Sequence, residues 1–197
     1  MRLITWTLGI FKKKHRITAV PYTKNMNLVV GSLLGGFAAI LQSAGLIGGI
    51  GYALSIMATG PIILATVLSI RIGLLTYAVT TLLLIILQPS EVLIFLFTTG
   101  LLGIALGIGF KFYKTGSMVS VMGGTSLSFG ILILLYIFQF PVLGPSISRQ
   151  VSGTVVAGVF LFSQFYSWIW MNLSIVGMKH LNKVMLRKIW VEKDESS

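Results

Sequence analysis

Residues 25–70 read NMNLVVGSLLGGFAAILQSAGLIGGIGYALSIMATGPIILATVLSI, forty-six residues between Lys24 and Arg71 without one charged side chain. A bilayer core about 30 Å thick is crossed by roughly 20 helical residues, so this stretch is too long for one crossing and long enough for two. Gly48-Gly49-Ile50-Gly51 supplies the joint between them, and Gly60-Pro61 kinks the second helix or delays its start. The same reading extends along the chain. Pro89-Ser90 ends a third span, a fourth runs to Phe110, and Pro141, Gly144 and Pro145 limit the fifth. The sequence thus predicts an all-α integral membrane protein with six transmembrane helices, at 27–46, 50–70, 72–88, 91–110, 117–140 and 151–176.

Composition supports that class. Of 197 residues 55% are apolar and only 10% charged, against about 25% charged in a soluble domain, which excludes a water-soluble globule. A mean hydropathy of +0.95 is carried by nearly the whole length, so neither a signal peptide nor a single anchor accounts for it. There is no cysteine, which excludes disulfides, thiolate metal sites and cysteine nucleophiles.

The net charge of +11 would suggest nucleic acid in a soluble protein, but here the basic residues lie between apolar blocks and no nucleic-acid partner is expected. Six spans place both termini on one side. On that side fall Arg2, Lys12, Lys13, Lys14, Arg16, Lys24, Arg71, Lys111, Lys114, Lys179, Lys183, Arg187, Lys188 and Lys193, leaving only Arg149 opposite. By the positive-inside rule both termini are cytoplasmic and the membrane is the cytoplasmic one. The chain divides into a basic N-terminal arm (1–25), a six-helix membrane domain (26–178) and a basic C-terminal tail (179–197). In the arm, residues 3–11 are too short to span and read as an interfacial helix, while Met26 is an alternative start of translation. In the tail, Met178, Leu181, Met185 and Ile189 recur at helical spacing with Lys179, Lys183 and Arg187 on another face, predicting a short amphipathic helix on the inner leaflet; a solvated charged tail is the alternative.

The chemistry is sparse. No G-x-x-x-x-G-K-[ST] loop is present, so ATP-driven work requires a partner. Both histidines, His15 and His180, sit in the terminal basic segments, and no metal set, cofactor site or catalytic pair can be assembled, so the protein is not expected to be an enzyme. Glu91 is the one acid between Met1 and Trp190, at the outer edge of the fourth helix, where a helix N-terminus stabilises its charge. It is either a ligand-binding carboxylate or a first-turn residue facing water. Arg149, beside Gln150, is a candidate partner for Glu91 or for an anionic ligand group, or else a solvated loop residue. With them Gln42, Tyr52, Gln88, Gln139 and Thr154 fall in the outer half and could line a pocket for a small polar molecule. Deeper in the last helix, Gln164 needs a partner and could bind the ligand or a neighbouring helix, while Trp168 and Trp170 read as interfacial anchors.

In the first span Gly31, Gly35, Ala39 and Ser43 recur every fourth residue and form a ridge that a second backbone can approach closely. Small residues make up about a third of the chain, so one such run is expected by chance. Gly100, Gly103 and Gly107 in the fourth span read as internal packing positions. A basic arm, this ridge, the run from Pro61-Ile62-Ile63-Leu64-Ala65 through Ser69-Ile70-Arg71-Ile72-Gly73, and Gly100-Leu101-Leu102-Gly103-Ile104-Ala105-Leu106-Gly107 together resemble the substrate-binding S components of energy-coupling factor (ECF) transporters, over roughly residues 26–178. The resemblance implies a subunit that captures a vitamin-like micronutrient from outside. It also implies that the Gly31, Gly35, Ala39 and Ser43 face docks a transmembrane coupling subunit carrying two ATPases. The sequence departs from the family in using Gly and Ser where Ala is usual, and it carries no signature of the thiamine, riboflavin or biotin members. The alternative from another class is a six-helix scaffold or assembly protein that transports nothing.

Overall fold

Two glycines with positive φ, Gly48 (65°) and Gly49 (44°), turn the chain between its first two spans, a conformation that a Cβ would strain. This computed structural model describes residues 24–140 and 153–195, and the described residues are helical throughout, without a strand. The first span is α1 (Lys24–Ser43), extended by a 3-10 turn (Ala44–Ile47). The second is broken into α2 (Ile50–Ile56) and α3 (Thr59–Leu68), two residues ahead of Pro61, so the helix restarts with proline in its first turn. α4 (Ile70–Leu87) is the third span and ends at Gln88, the residue before Pro89.

The fourth span is also broken, between α5 (Pro89–Phe97) and α6 (Thr99–Phe112), at Thr98 with φ −122° and ψ −87°. Neither proline nor glycine stands at the break itself; Gly100 follows two residues on. α7 (Gly116–Leu132) widens into a π-helical turn (Ile133–Ile137) and the chain leaves it through Gln139, whose φ is 50°. α8 runs without interruption over Gly153–Glu195. Six helices are long and apolar enough to cross a membrane, at 25–47, 50–68, 70–87, 89–112, 116–137 and 153–179, close to the expected bounds. The helix expected for the tail is present in the backbone, but it continues the sixth span and is no separate element.

The two broken spans are the central ones. α3 packs on α1, α4 and α6, and α6 on α3, α7 and α4, whereas α8 lies along α7 and reaches α6 at its margin. Ala38, Ala39, Ile62, Leu84 and Phe95 form one core. Ile63, Val67, Leu102, Leu106, Val119, Leu127 and Met171 form the other, which also takes in Trp170. Trp170 is only 6% exposed and its ring lies against Gly60, so it fills the bundle interior where an interfacial anchor was expected. The outward faces carry Leu33, Phe37, Ile40, Leu82, Ile86, Phe129, Leu161 and Phe165, a belt of exposed apolar side chains suited to lipid.

Candidate functional site

Three side chains from two spans meet at the end of the bundle formed by the 44–50 and 88–90 turns. Gln42 lies near the end of α1, one turn beyond buried Ala38 and Ala39, and its side chain is 0% exposed. Glu91 stands in the first turn of α5, which Pro89 opens and where the helix dipole favours a carboxylate. Thr99 is the first residue of α6. Gln42 Nε2 donates to Glu91 Oε2 at 2.9 Å, and Thr99 Oγ1 donates to Gln42 Oε1 at 2.9 Å. The carboxamide thus uses a donor and its acceptor together, which matters because a buried amide without partners costs several kcal/mol in an apolar surround. Gly45 passes close by: a Cβ there would lie 3.3 Å from Glu91 Oε1 and 3.7 Å from Ser55 Cβ.

Three buried oxygens of the first three spans and the turn after them have no hydrogen-bond partner among the described residues: Ser43 Oγ, next to Gln42 in the chain, Gln88 Oε1, three residues before Glu91, and Thr59 Oγ1. Gln88 is 4% exposed and Thr59 0%. Gln88 belongs to the same tight turn as Glu91, whose backbone N–H donates to the Gln88 carbonyl at 3.1 Å. Thr59 follows buried Ser55 by one turn on the inward face of the second span. Buried polar atoms are nearly always paired, and elsewhere Tyr136 OH, Ser163 Oγ and Gln164 Nε2 are likewise buried without a partner. Among the described residues Glu91 has no ion-pair partner.

Both central spans restart their helices with the same dipeptide, Thr59-Gly60 and Thr99-Gly100. The restarted helices pack closely through glycine: a Cβ on Gly103 would meet Ile62 Cβ at 2.7 Å and the Thr59 carbonyl at 3.1 Å, and one on Gly107 would meet Thr66 Cβ at 2.4 Å. The expected packing role of Gly100, Gly103 and Gly107 holds. At the Thr98 break, Tyr77 OH donates to the Leu96 carbonyl at 2.9 Å, satisfying one of the groups that the interruption leaves open. The Phe97 carbonyl is pressed against Gly130 of α7, where a Cβ would sit 1.8 Å from it.

The remaining expected site residues are dispersed. Tyr52 is 62% exposed, because α2 turns Gly51 and Ser55 inward and Tyr52 away. Gln139 and Thr154 are exposed as well, so the expected ring of outer polar residues reduces to Gln42 and Gln88 beside Glu91. Gln164 belongs to another region: its amide lies against Gly124, and its Nε2 is buried without a partner. Arg149 and Gln150 lie outside the described residues. Sequence reasoning missed Ser55, Thr59 and Thr99; the repeated Thr-Gly was the signal that could have found the last two.

The small-residue ridge requires a correction. Gly31, Gly35 and Ala39 are buried in the seam with α4 and are not an outward docking face. Thr76 Oγ1 donates to the Gly31 carbonyl at 3.0 Å and Thr80 Oγ1 to the Gly35 carbonyl at 3.1 Å. Ser43, half-buried, completes the stripe at the network end. The close approach that small residues permit is used by the protein's own third span, whose threonines share the four-residue spacing. Beside this seam, Leu28, Gly31, Ser32, Ile72, Leu75, Thr76 and Val79 line a mostly apolar groove of about 210 Å³. Among the described residues no three His, Cys, Asp or Glu side chains come together as a metal site. The chain matches no family model, no curated protein and no solved structure.

Proposed function

We propose that this protein is a membrane-embedded capture subunit for a small polar solute such as a vitamin-like micronutrient, with the Gln42, Glu91 and Thr99 network at the outer end. The observation that carries the reading is Gln42, fully buried in an apolar bundle and held between Glu91 and Thr99. Polar groups are retained inside an apolar bundle at a cost, and a bound solute repays it. The distribution of basic residues supports cytoplasmic termini in a cytoplasmic membrane, which puts the network on the outside. With no nucleotide loop of its own, the subunit relies on a coupling subunit with associated ATPases for any ATP-driven step. That partner meets an outward face, since the Gly31, Gly35 and Ala39 stripe is taken up by α4.

The test is direct. Purified protein is analysed by native mass spectrometry and by thermal shift across a nutrient library. One small molecule bound stoichiometrically, weakened about 5- to 150-fold by Gln88→Ala or Gln42→Ala, supports capture. Absence of any ligand in both measurements overturns it in favour of the scaffold reading.

A further inference from the structure

Glu91 is the only acid between residues 1 and 191 of the chain, and it is half-buried in an otherwise uncharged region. One carboxylate oxygen accepts the Gln42 amide proton; among the described residues no other side chain donates to the group and no basic side chain pairs with it. The first turn of α5 contributes only the partial charge of a helix end, which offsets a small part of the cost of removing a full charge from water. Gln42 is a neutral amide: it donates an N–H to Glu91 while its carbonyl oxygen accepts from Thr99, and it supplies no charge to offset the carboxylate.

The unpaired groups nearby share one chemistry. Gln88 Oε1 can only accept, and the hydroxyls of Ser43 and Thr59 are able to. Ser43 adjoins Gln42 in the chain, Gln88 stands three residues before Glu91, and Thr59 follows Ser55, which shares the contact at Gly45 with Glu91. An anionic ligand would meet a carboxylate of like charge. A neutral ligand would leave the charge of Glu91 uncompensated. Oxygen acceptors around a single carboxylate suit a hard monovalent cation or an N–H-rich head group.

Resting on the capture reading, we infer that the group bound beside Glu91, Gln42 and Gln88 is positively charged: an alkali cation, or the ammonium head of an organic solute. Glu91 supplies the charge and Gln88 Oε1 a neutral acceptor, while Gln42 fixes the carboxylate.

The experiment uses the full chain in nanodiscs, with binding of ²²Na⁺ and of radiolabelled methylammonium followed by scintillation proximity. The expected result is saturable binding of at least one cation, reduced at least about tenfold in Glu91→Gln and several-fold in Gln88→Leu. Sodium binding that methylammonium displaces poorly identifies a free alkali ion, and the reverse order identifies a solute head group. Failure of both cations to bind, while a neutral or anionic nutrient does, overturns the charge assignment and leaves capture standing. Failure of every ligand overturns both. Cation binding seen only after Arg149→Ala would show that Arg149 already neutralises Glu91 in the native protein, which also overturns the inference.

Discussion

At one end of spans 1 to 4 a glutamine carboxamide joins a carboxylate to a threonine, while along spans 5 and 6 a serine hydroxyl donates to a backbone carbonyl across a glycine-lined seam. Both regions bury polar atoms in an apolar bundle, and they do so on different terms. In the first, each side chain depends on another, so loss of Gln42 strands Glu91 and Thr99 together. In the second, Ser167 Oγ reaches the Ser120 carbonyl at 2.8 Å, an oxygen in the interior of α7 that accepts from its own helix as well. Removing the hydroxyl strands nothing there. The difference teaches where a substitution will be felt: mutual dependence marks a built site, and side-chain bonds to helix carbonyls mark packing.

The largest effect is expected where the two regions join. Gly130→Val puts a branched side chain against the Phe97 carbonyl, where even a Cβ would lie 1.8 Å away and only the backbone can yield. It should destabilise by about 3 kcal/mol or more, measured by SDS titration in mixed micelles with tryptophan fluorescence. A cost below about 1 kcal/mol would mean that spans 4 and 5 do not meet at the Thr98 break. Next in size is Gln42→Leu, expected to cost about 2 to 3 kcal/mol in the same titration because two buried groups lose their partner. Adding Thr99→Val should recover part of that loss; strictly additive costs would break the claim of mutual dependence.

A pair of neighbouring glycines sharpens the comparison on α1. Gly35→Leu drives a side chain into the Thr76 carbonyl and Thr80 hydroxyl and should cost about 1 to 3 kcal/mol. Gly36→Leu, where nothing lies within 4 Å of the added Cβ, should stay within about 0.5 kcal/mol of wild type. Equal tolerance of both would return the stripe to an outward docking face. The smallest effect belongs to the seam: Ser167→Ala should cost about 0.6 kcal/mol, the ordinary worth of one interhelical bond in a membrane bundle. A loss as large as that of Gln42→Leu would erase the distinction between the two regions.

Span number and bounds were legible because two strong physical signals coincide, charge placed between apolar runs of membrane-spanning length and Gly or Pro at the joints. The Thr98 break was not legible. Phe97-Thr98-Thr99 contains nothing that forbids a helix, and the interruption is held by Tyr77 and Gly130, distant in sequence. The site was half legible. Gln42, Gln88 and Glu91 stood out because polar residues in apolar runs are conspicuous, and the structure bonds Gln42 to Glu91 and buries Gln88; Tyr52 and Gln139 were grouped with them since sequence gives depth without facing. The ridge failed for the opposite reason. Small residues every fourth place promise a partner helix, and only the matching Thr76 and Thr80 spacing in the third span tells that the partner is internal.

The final helix has a mechanical consequence. An unbroken rod of 43 residues measures about 65 Å, and the sixteen residues past Lys179 make up about 24 Å of it. Inside the bundle this rod leans chiefly on α7, along a seam where Gly123 faces Ser167 and Gly124 faces Gln164. A tilt of about 10° at that seam, about 45 Å from the end of the helix, would swing the far end by about 8 Å. Whatever alters the seam at one surface is therefore delivered, as leverage, to the other.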